Sequence, residues 1–215
     1  MNSQEEGWNK TFKSFKNFSD KTGKYDNWLD KHSEILSESN QIPIVDLGCG
    51  FGGNTLYLIE MGYDVISCDF SDEALNGLKR NIPDATIMKF NMLSGLPFKD
   101  ASRRIIIADL SIHYFLWTDT KKVANDIQRV LMNEGVFLFR VNSVNDRNYG
   151  AGKGIVIQEN YFNINGRFKR FFSEESLKEL FQDWELLYLK EDTTKRYGHE
   201  KILWEVAARK RDKSL

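Results

Sequence analysis

A glycine-rich turn, predicted to join a strand to a helix, carries the residues whose types and spacing can do chemistry. Gly48 and Gly50 follow the apolar end of the strand, and Gly53 completes the pattern G-x-G-x-x-G. Glycine lets a ligand approach bare backbone at a helix N-terminus, where N–H groups point toward it. The pattern predicts a nucleotide-like ligand, although a nicotinamide dinucleotide site and a tight turn without a ligand satisfy it as well.

Two carboxylates near this turn narrow the choice of ligand. Asp46 lies two residues before Gly48, where a dinucleotide fold has no special need for a charge. The ammonium group of a sulfonium amino acid, in contrast, needs a counter-charge. Asp69 ends the second predicted strand, where a carboxylate can accept two charge-assisted hydrogen bonds from ribose hydroxyls. On its own, Asp69 is compatible with a nicotinamide dinucleotide, with S-adenosylmethionine or with a solvated carboxylate at a strand end. Together with Asp46 it favours S-adenosylmethionine.

The elements that must position these residues alternate between strand and helix. Ser71 predicts a helix N-cap behind the second strand, and Val123 and Ile127 mark the buried face of a later helix. Asn133-Glu134-Gly135 is interpreted as a turn into the fifth strand. Such alternation indicates an α/β sheet with right-handed crossovers. The predicted strands are Ile42–Leu47, Asp64–Cys68, Ala85–Phe90, Arg104–Leu110 and Val136–Val141.

The C-terminal part of the chain has a different pattern. Ser173 predicts the N-cap of a last helix, and two strand-like runs follow it, Glu185–Leu189 and Ile202–Ala207. No helical pattern separates these runs, and strands joined without a crossover helix pair antiparallel. We therefore expect the parallel sheet to end in an antiparallel pair.

These segments resemble the class I S-adenosylmethionine-dependent methyltransferases. The resemblance covers roughly residues 42–141, and the C-terminal pair looks like the family's ending. It implies a Rossmann-like, doubly wound α/β sheet of seven strands, mostly parallel with an antiparallel C-terminal strand pair, with helices on both faces, in a single domain over residues 1–215. The matching pieces are Val45–Gly53, Cys68-Asp69-Phe70-Ser71, Phe90–Phe98, Ile105–Phe115 and Val130–Val141.

The resemblance also implies roles around the cofactor. Asp46, Gly48 and Gly50 would face its methionine part, Asp69 would hold the ribose, and Phe70 would pack on the adenine.

Three further cofactor-binding positions follow from the same resemblance. Asn91 and Met92 come after the third strand, where the family often has an acidic residue that bonds the adenine amino group. The amide oxygen of Asn91 can accept that bond without a charge. Asp109 ends the fourth strand, where family members line the methionine end of the cofactor.

Candidate catalytic residues are few, because the chain has three histidines. His113 and Tyr114 lie just past the fourth strand, at the carboxyl edge of the sheet where an acceptor should bind. We predict that they act as catalytic or acceptor-binding residues. A structural histidine and a tyrosine packed in the core are the alternatives.

Two longer segments are predicted to surround the acceptor. Residues 1–40 are interpreted as an N-terminal helical cap that either packs on the domain or forms a lid over the acceptor pocket. Residues 142–172 lack a clear helical period and form a long connection, which we expect to cover the active site and set substrate choice. The aromatic residues at helical spacing in the first segment are Phe12, Phe15 and Phe18.

Composition bounds the remaining classes of function. The 215 residues are 41% hydrophobic with a formal net charge of −1, so the basic excess typical of nucleic-acid binding is lacking. No apolar run is long enough to span a membrane, and no metal-ligand spacing is present. Cys49 and Cys68 are predicted as buried small residues. Arg140 or Arg147 could meet an anionic substrate, but we expect each to be a solvated surface side chain. We expect a cytoplasmic enzyme without a bound metal, whose oligomeric state the sequence does not predict.

Missing motifs narrow the acceptor. No Asn-Pro-Pro-Tyr-like run follows the fourth strand and no Pro-Cys dipeptide is present, which disfavours methylation of DNA bases and of glutamine. A small-molecule acceptor is the best remaining class. Two other functions stay open, a catalytically silent cofactor-binding or partner-activating module of the same fold and a nicotinamide-dependent oxidoreductase. The oxidoreductase leaves Asp46 unexplained.

Overall fold

A seven-stranded mixed sheet forms the centre of the molecule. The computed structural model describes residues 3–14 and 25–212. Its strands are β1 Ile44–Leu47, β2 Val65–Asp69, β3 Thr86–Lys89, β4 Arg103–Asp109, β5 Leu131–Asn142, β6 Ile155–Gln158, β7 Tyr161–Ile164, β8 Arg167–Arg170, β9 Trp184–Tyr197 and β10 His199–Lys210.

The strand order confirms the predicted fold. The large sheet has the order β3-β2-β1-β4-β5-β10-β9, and β1 to β5 pair in parallel. β10 lies between β5 and β9 and runs antiparallel to both. The order reverses at β1, so the carboxyl ends of β1 and β4 flank the switch point where open α/β sheets bind ligands.

Helices pack on both faces of this sheet, and two of them begin at the predicted caps. The Ala74 N–H donates to Ser71 Oγ at 3.2 Å, and Ser173 and Ser176 form a reciprocal capping box. Each cap satisfies backbone donors at a helix start and contributes about 1 kcal/mol. The α-helices of the described residues are α1 Ser3–Ser14, α2 Ser33–Ser37, α3 Gly53–Glu60, α4 Asp72–Asn81, α5 Trp117–Val130 and α6 Glu174–Leu180.

Strand β5 shows how the core divides between the two faces of the sheet. Phe137 and Phe139 stack with ring centroids 4.7 Å apart and pack with Phe181 on one face. Leu138 points to the other face and packs in the cluster that contains Trp28. All five side chains are buried, as expected for a strand that is covered on both sides. Burial of each contributes about 2 kcal/mol.

The predicted turn at Asn133-Glu134-Gly135 is wrong. Strand β5 continues through these residues, with Glu134 at φ 61°. The register with β4 shifts there, because Leu131 pairs with Arg103 and Val136 pairs with Ile105. The irregularity absorbs extra residues within the strand, so the pairing resumes without a separate turn.

Residues 142–172 contain a second, three-stranded antiparallel sheet in the order β6-β7-β8, where the sequence analysis expected only a connection. Asn165 and Gly166 join β7 to β8, and both have positive φ, 53° and 83°. This is the two-residue turn that Asn-Gly favours in hairpins. The turn signal is present in the sequence and predicts the hairpin.

Hydrogen bonds join the small sheet to the segment that follows β4. Tyr161 Oη donates a hydrogen bond to the Tyr114 carbonyl at 2.9 Å, and Arg170 Nε donates to the Phe115 carbonyl at 3.2 Å. These bonds hold β7 and β8 over the segment that carries His113.

The N-terminal helix contains Phe12, whereas Phe15 and Phe18 lie outside the described residues. None of the helices in the described part of the chain has the length and apolar character needed to cross a membrane.

Candidate functional site

The turn after β1 approaches the end of β4 closely, and glycine makes this possible. Gly48 has φ 76°, and a Cβ at this position would collide with the Ser111 side chain. The Ser111 hydroxyl in turn donates to the Leu47 carbonyl at 2.8 Å. Gly50 has φ 54°, which also favours glycine. The glycines therefore bring the β1 turn and the β4 end to one edge of the sheet.

Asp69 is tied to the same turn. Its Oδ2 accepts a hydrogen bond from the Gly50 N–H at 3.1 Å, and its Oδ1 accepts one from the Ser71 N–H at 2.9 Å. Burial raises the pKa of Asp69, and these backbone donors partly offset the effect. The carboxylate is 7% exposed and lines a cavity, so its remaining lone pairs are available to a ligand.

Asp46 lies behind the turn, outside the cavity lining. It is 1% exposed, and the Thr55 hydroxyl donates to its Oδ2 at 2.8 Å. Its Oδ1 has no hydrogen-bond partner among the described residues. Burial raises the pKa of Asp46 to about 7, although the Thr55 bond lowers it. The predicted contact of Asp46 with the methionine part of the cofactor stays a prediction.

The raised pKa of Asp46 should appear in the stability of the protein. Between pH 3.8, its ordinary pKa, and about 7, the folded protein keeps a proton that the unfolded chain has lost. The free energy of unfolding should therefore fall as pH rises through this window, by on the order of 1 kcal/mol per pH unit. Asp46→Asn cannot ionise and should lack this part of the slope in urea unfolding.

A matched control separates this effect from other titrating groups. Asp72→Asn, at an exposed side chain on the first turn of α4, should keep the pH dependence of the wild type. The raised pKa is refuted if the stability difference between Asp46→Asn and wild type stays constant from acid to neutral pH.

A cavity of about 1150 Å³ opens at the carboxyl edge of the sheet. It is lined by every candidate catalytic and cofactor-binding residue of the sequence analysis except Asp46. The structure thus brings together residues that are far apart in the chain. These lining residues are Gly48, Gly50, Asp69, Phe70, Asn91, Met92, Asp109, His113 and Tyr114.

Asn91 has a structural task in addition to its place in the cavity. Its Oδ1 accepts a hydrogen bond from the Leu93 N–H at 2.9 Å and caps the short 3₁₀ helix Met92–Ser94. The amide oxygen has a second lone pair and the amide nitrogen two donors, so contact with an adenine remains open to it.

Asp109 is held by a buried arginine. Arg140 donates two hydrogen bonds to the Asp109 carboxylate, Nε to Oδ1 at 2.8 Å and Nη2 to Oδ2 at 2.7 Å, and a third to Asp26 at 2.7 Å. Burial raises the pKa of Asp109, but the charge and hydrogen bonds of Arg140, together with the charges of Arg196 and Lys201, outweigh it, so the pKa lies below its usual value. Arg140 is 3% exposed. The prediction that Arg140 is a solvated surface residue is therefore wrong, because two carboxylates compensate its burial.

His113 is buried at the inner end of the cavity lining, in a short 3₁₀ helix from Ile112 to Tyr114. Burial lowers the pKa of His113 well below its usual value, and the charges of Lys201 and Lys169 lower it further. Its imidazole is therefore neutral at pH 7. The Nδ1 atom has no hydrogen-bond partner in the described part of the chain. The Tyr114 ring lies 4.1 Å from the imidazole, measured between centroids.

The sequence analysis missed several polar side chains of the cavity. Lys169 lies on β8 and Lys201 on β10, and both line the cavity together with Asn142 and Tyr149. The Asn-Gly turn could have placed Lys169 on a hairpin that faces the site. No sequence pattern comparable to the Asn-Gly turn predicted that Lys201 lines the cavity. Its position there follows from the order of the strands in the large sheet.

Helix α1 covers part of the same cavity. Trp8 packs edge-on against Tyr114 with ring centroids 4.7 Å apart, and Phe12 contacts Phe51 in the glycine-rich turn at 5.0 Å. Both aromatic residues line the cavity, as does Thr11. Helix α1 therefore contacts the domain beside the cavity, and its role as a lid over the acceptor stays a prediction.

Comparison with known proteins agrees with this geometry. Residues 45–139 match the family model described as a methyltransferase domain. A Synechocystis sp. protein named as an uncharacterized methyltransferase is 30% identical over 104 residues, which are 48% of this chain and 49% of that protein. The Bacillus subtilis protein YqeM, which also bears a methyltransferase name, is 28% identical over 123 residues, or 55% of this chain and 49% of that protein. The chain thus spans about half the length of these curated relatives.

Solved structures extend the likeness to most of the fold. The crystal structure of a Methanosarcina mazei protein, titled as a SAM-dependent methyltransferase, superposes with a TM-score of 0.71 at 19% identity. The match covers 82% of this chain and 97% of that one. At this identity the likeness concerns the fold, whereas the family match covers the glycine-rich turn and the ends of β1 to β4. Residues 45–139 are thus similar to a methyltransferase domain, and the fold resembles that of a protein titled as a SAM-dependent methyltransferase.

Proposed function

We propose that the protein binds S-adenosylmethionine and transfers its methyl group to a small-molecule acceptor by in-line displacement. One observation carries the proposal: a single cavity joins the glycine-rich turn and Asp69 to polar residues that the cofactor signature does not explain. Its volume of about 1150 Å³ exceeds the range of about 300–1000 Å³ that is typical of a pocket for one drug-sized ligand. This space suits a cofactor together with a small acceptor.

The residues at the turn fit this cofactor. Asp69 has unused lone pairs at the cavity wall, which suit the two ribose hydroxyls. Phe70 and Met92 offer apolar surface to an adenine ring. Asp46 retains an orphaned oxygen close behind the turn, and an ammonium group nearby would stabilise its ionised form. When bound, S-adenosylmethionine supplies the activated methyl group.

The chain's main contribution to the reaction is positioning. Alignment of an acceptor with the methyl carbon contributes up to about 7–11 kcal/mol in favourable cases. The low pKa of His113 makes it a weak proton acceptor, so we assign it the task of hydrogen bonding to the acceptor as a neutral imidazole. Tyr114, between His113 and Trp8, shapes the same wall.

Calorimetry with S-adenosylhomocysteine tests the cofactor first. We expect saturable binding of this product and no comparable binding of NADH. A screen of small-molecule thiols, phenols and amines, with release of S-adenosylhomocysteine as the readout, then tests turnover.

The outcomes separate the rival functions. Binding of NADH without S-adenosylhomocysteine would overturn the proposal in favour of an oxidoreductase. Cofactor binding without turnover of any acceptor in a broad screen would favour a silent or partner-activating module. Turnover of a protein or nucleic acid alone would contradict the small-molecule acceptor.

A further inference from the structure

Two cationic side chains in the cavity lining have no ion-pair partner among the described residues. Arg167 and Lys169 lie two residues apart on β8, so their side chains leave the same face of the strand. Arg167 donates a hydrogen bond to Thr11 Oγ1 at 3.0 Å, and Lys169 Nζ lies 3.5 Å from the Tyr149 carbonyl. None of the ion pairs within the described residues includes either side chain.

Lys201 provides the contrast within the same cavity. Its Nζ donates to Asp146 at 2.9 Å and to the Asn142 amide oxygen at 2.6 Å, so its charge is compensated. Lys169 has no such ion pair in the described part of the chain. Burial together with the charges of Lys201 and Arg167 lowers its pKa, and the charge of Asp146 only partly offsets the effect. A half-buried cation beside two others costs free energy in the absence of a ligand, and that cost is recovered when an anion binds.

The two acidic residues of the cavity lining bond to groups other than Arg167 and Lys169. Asp69 accepts the Gly50 and Ser71 N–H groups, and Asp109 accepts two bonds from Arg140. No other Asp or Glu of the described residues lines the cavity. The part of the lining formed by β8 and β10 carries Arg167, Lys169 and Lys201 and no carboxylate, so it disfavours a cationic acceptor and favours an anionic one.

We propose that the methyl acceptor is a small molecule with an anionic oxygen group, a carboxylate or a phosphate monoester, and that Lys169 and Arg167 bind this group. The inference rests on the proposed function, because it assigns the acceptor of that same cavity. Charge-assisted bonds from two cations fix one end of the acceptor, and the neutral His113 contacts the molecule nearer the β4 end. Together these contacts orient the acceptor's nucleophilic atom.

Binding of simple probes to the protein saturated with S-adenosylhomocysteine tests the proposal without knowledge of the acceptor. The probes are benzoate, phenyl phosphate and the neutral benzamide, titrated by NMR. We expect at least one anion to bind about 10-fold or more tightly than benzamide. Lys169→Met should remove most of this preference, and Lys169→Arg should retain it. Lys153→Met, at an exposed lysine of the same segment outside the cavity lining, should leave it unchanged.

Each contrary outcome has a separate meaning. If S-adenosylhomocysteine does not bind to the wild type, the proposed function itself fails. If it binds but all three probes bind alike, or no anion binds saturably, only the anionic acceptor is overturned. The proposal is also overturned if Lys169→Met weakens S-adenosylhomocysteine binding as much as anion binding, because the lysine then serves the cofactor's own carboxylate.

Discussion

Replacement of Arg140 by methionine should lower the free energy of unfolding by about 3–5 kcal/mol. The arginine is 3% exposed and donates to Asp109 and to Asp26, whose side chains are 11% and 19% exposed. Removal of the cation leaves the poorly solvated Asp109 carboxylate without its ion-pair partner and leaves Asp26 with the longer ion pair to Arg196, at 3.9 Å. Methionine retains most of the side-chain volume. Urea unfolding at neutral pH measures the loss, and an unchanged m value supports a two-state comparison.

The pH dependence identifies the cause of this loss. Arg140 keeps the pKa of Asp109 below its usual value, so the pair stabilises the fold above pH 3.8 and loses this stability as pH falls further. The difference between Arg140→Met and wild type should therefore be largest near neutral pH and shrink in acid, where the unpaired carboxylates take up protons. Arg104→Met is the control, because its ion pair with Glu38 spans 3.7 Å at a partly exposed site, and should cost less than about 1 kcal/mol. Equal losses in the two variants would show that the carboxylates tolerate the absence of Arg140.

The Arg140 site also shows what a sequence alone does not reveal. Asp26, Asp109 and Arg140 are distant in the chain, and their local sequence patterns do not predict that they pair. They meet because β4 and β5 are neighbours in the sheet and residues 25–32 pack across them. Local patterns carry no information about such pairing, so the prediction of a surface arginine was the natural one.

The glycine-rich turn was predictable because its constraint is local. Gly48 and Gly50 have positive φ, and glycine is the residue type that most readily adopts this conformation. The buried parallel strands were predictable for a similar reason, since continuous apolar runs mark strands covered on both faces. In β6, by contrast, Ile155 and Val156 are 68% and 66% exposed, so their apolar character does not report burial. Such an edge strand is recognised by its partners and its turn rather than by its own pattern.

The candidate functional site combines residues that local patterns predict with residues that they do not predict. Positions next to the turn and the strand ends follow from the order of the parallel strands, and the structure brings nearly all of them to one cavity. Lys169 and Lys201 reach the cavity from a hairpin and from the inserted antiparallel strand β10. The position of these two lysines depends on how the C-terminal elements pack, which local sequence patterns do not predict. These lysines bear on the proposed choice of acceptor.

Replacement of Asp69 by alanine should weaken binding of S-adenosylhomocysteine by about 10- to 100-fold, or about 1.5–3 kcal/mol. This size corresponds to the loss of charge-assisted bonds to the ribose hydroxyls. The structure adds a second effect, because Asp69 also accepts the Gly50 and Ser71 N–H groups. Removal of the carboxylate leaves these backbone donors without their partner, which should lower stability by about 1–3 kcal/mol.

A conservative variant separates the two effects of Asp69. Asp69→Asn keeps one oxygen acceptor for a backbone N–H but loses the charge, so it should regain part of the stability while cofactor binding stays weakened. Asp72→Ala is the matched control, since this exposed carboxylate pairs with Lys89 outside the cavity and should bind S-adenosylhomocysteine like the wild type. Calorimetry measures binding, and urea unfolding measures stability on the same samples. Wild-type affinity in Asp69→Ala, in a protein that unfolds cooperatively, would remove Asp69 from the cofactor site and shift the ribose contact to another part of the cavity.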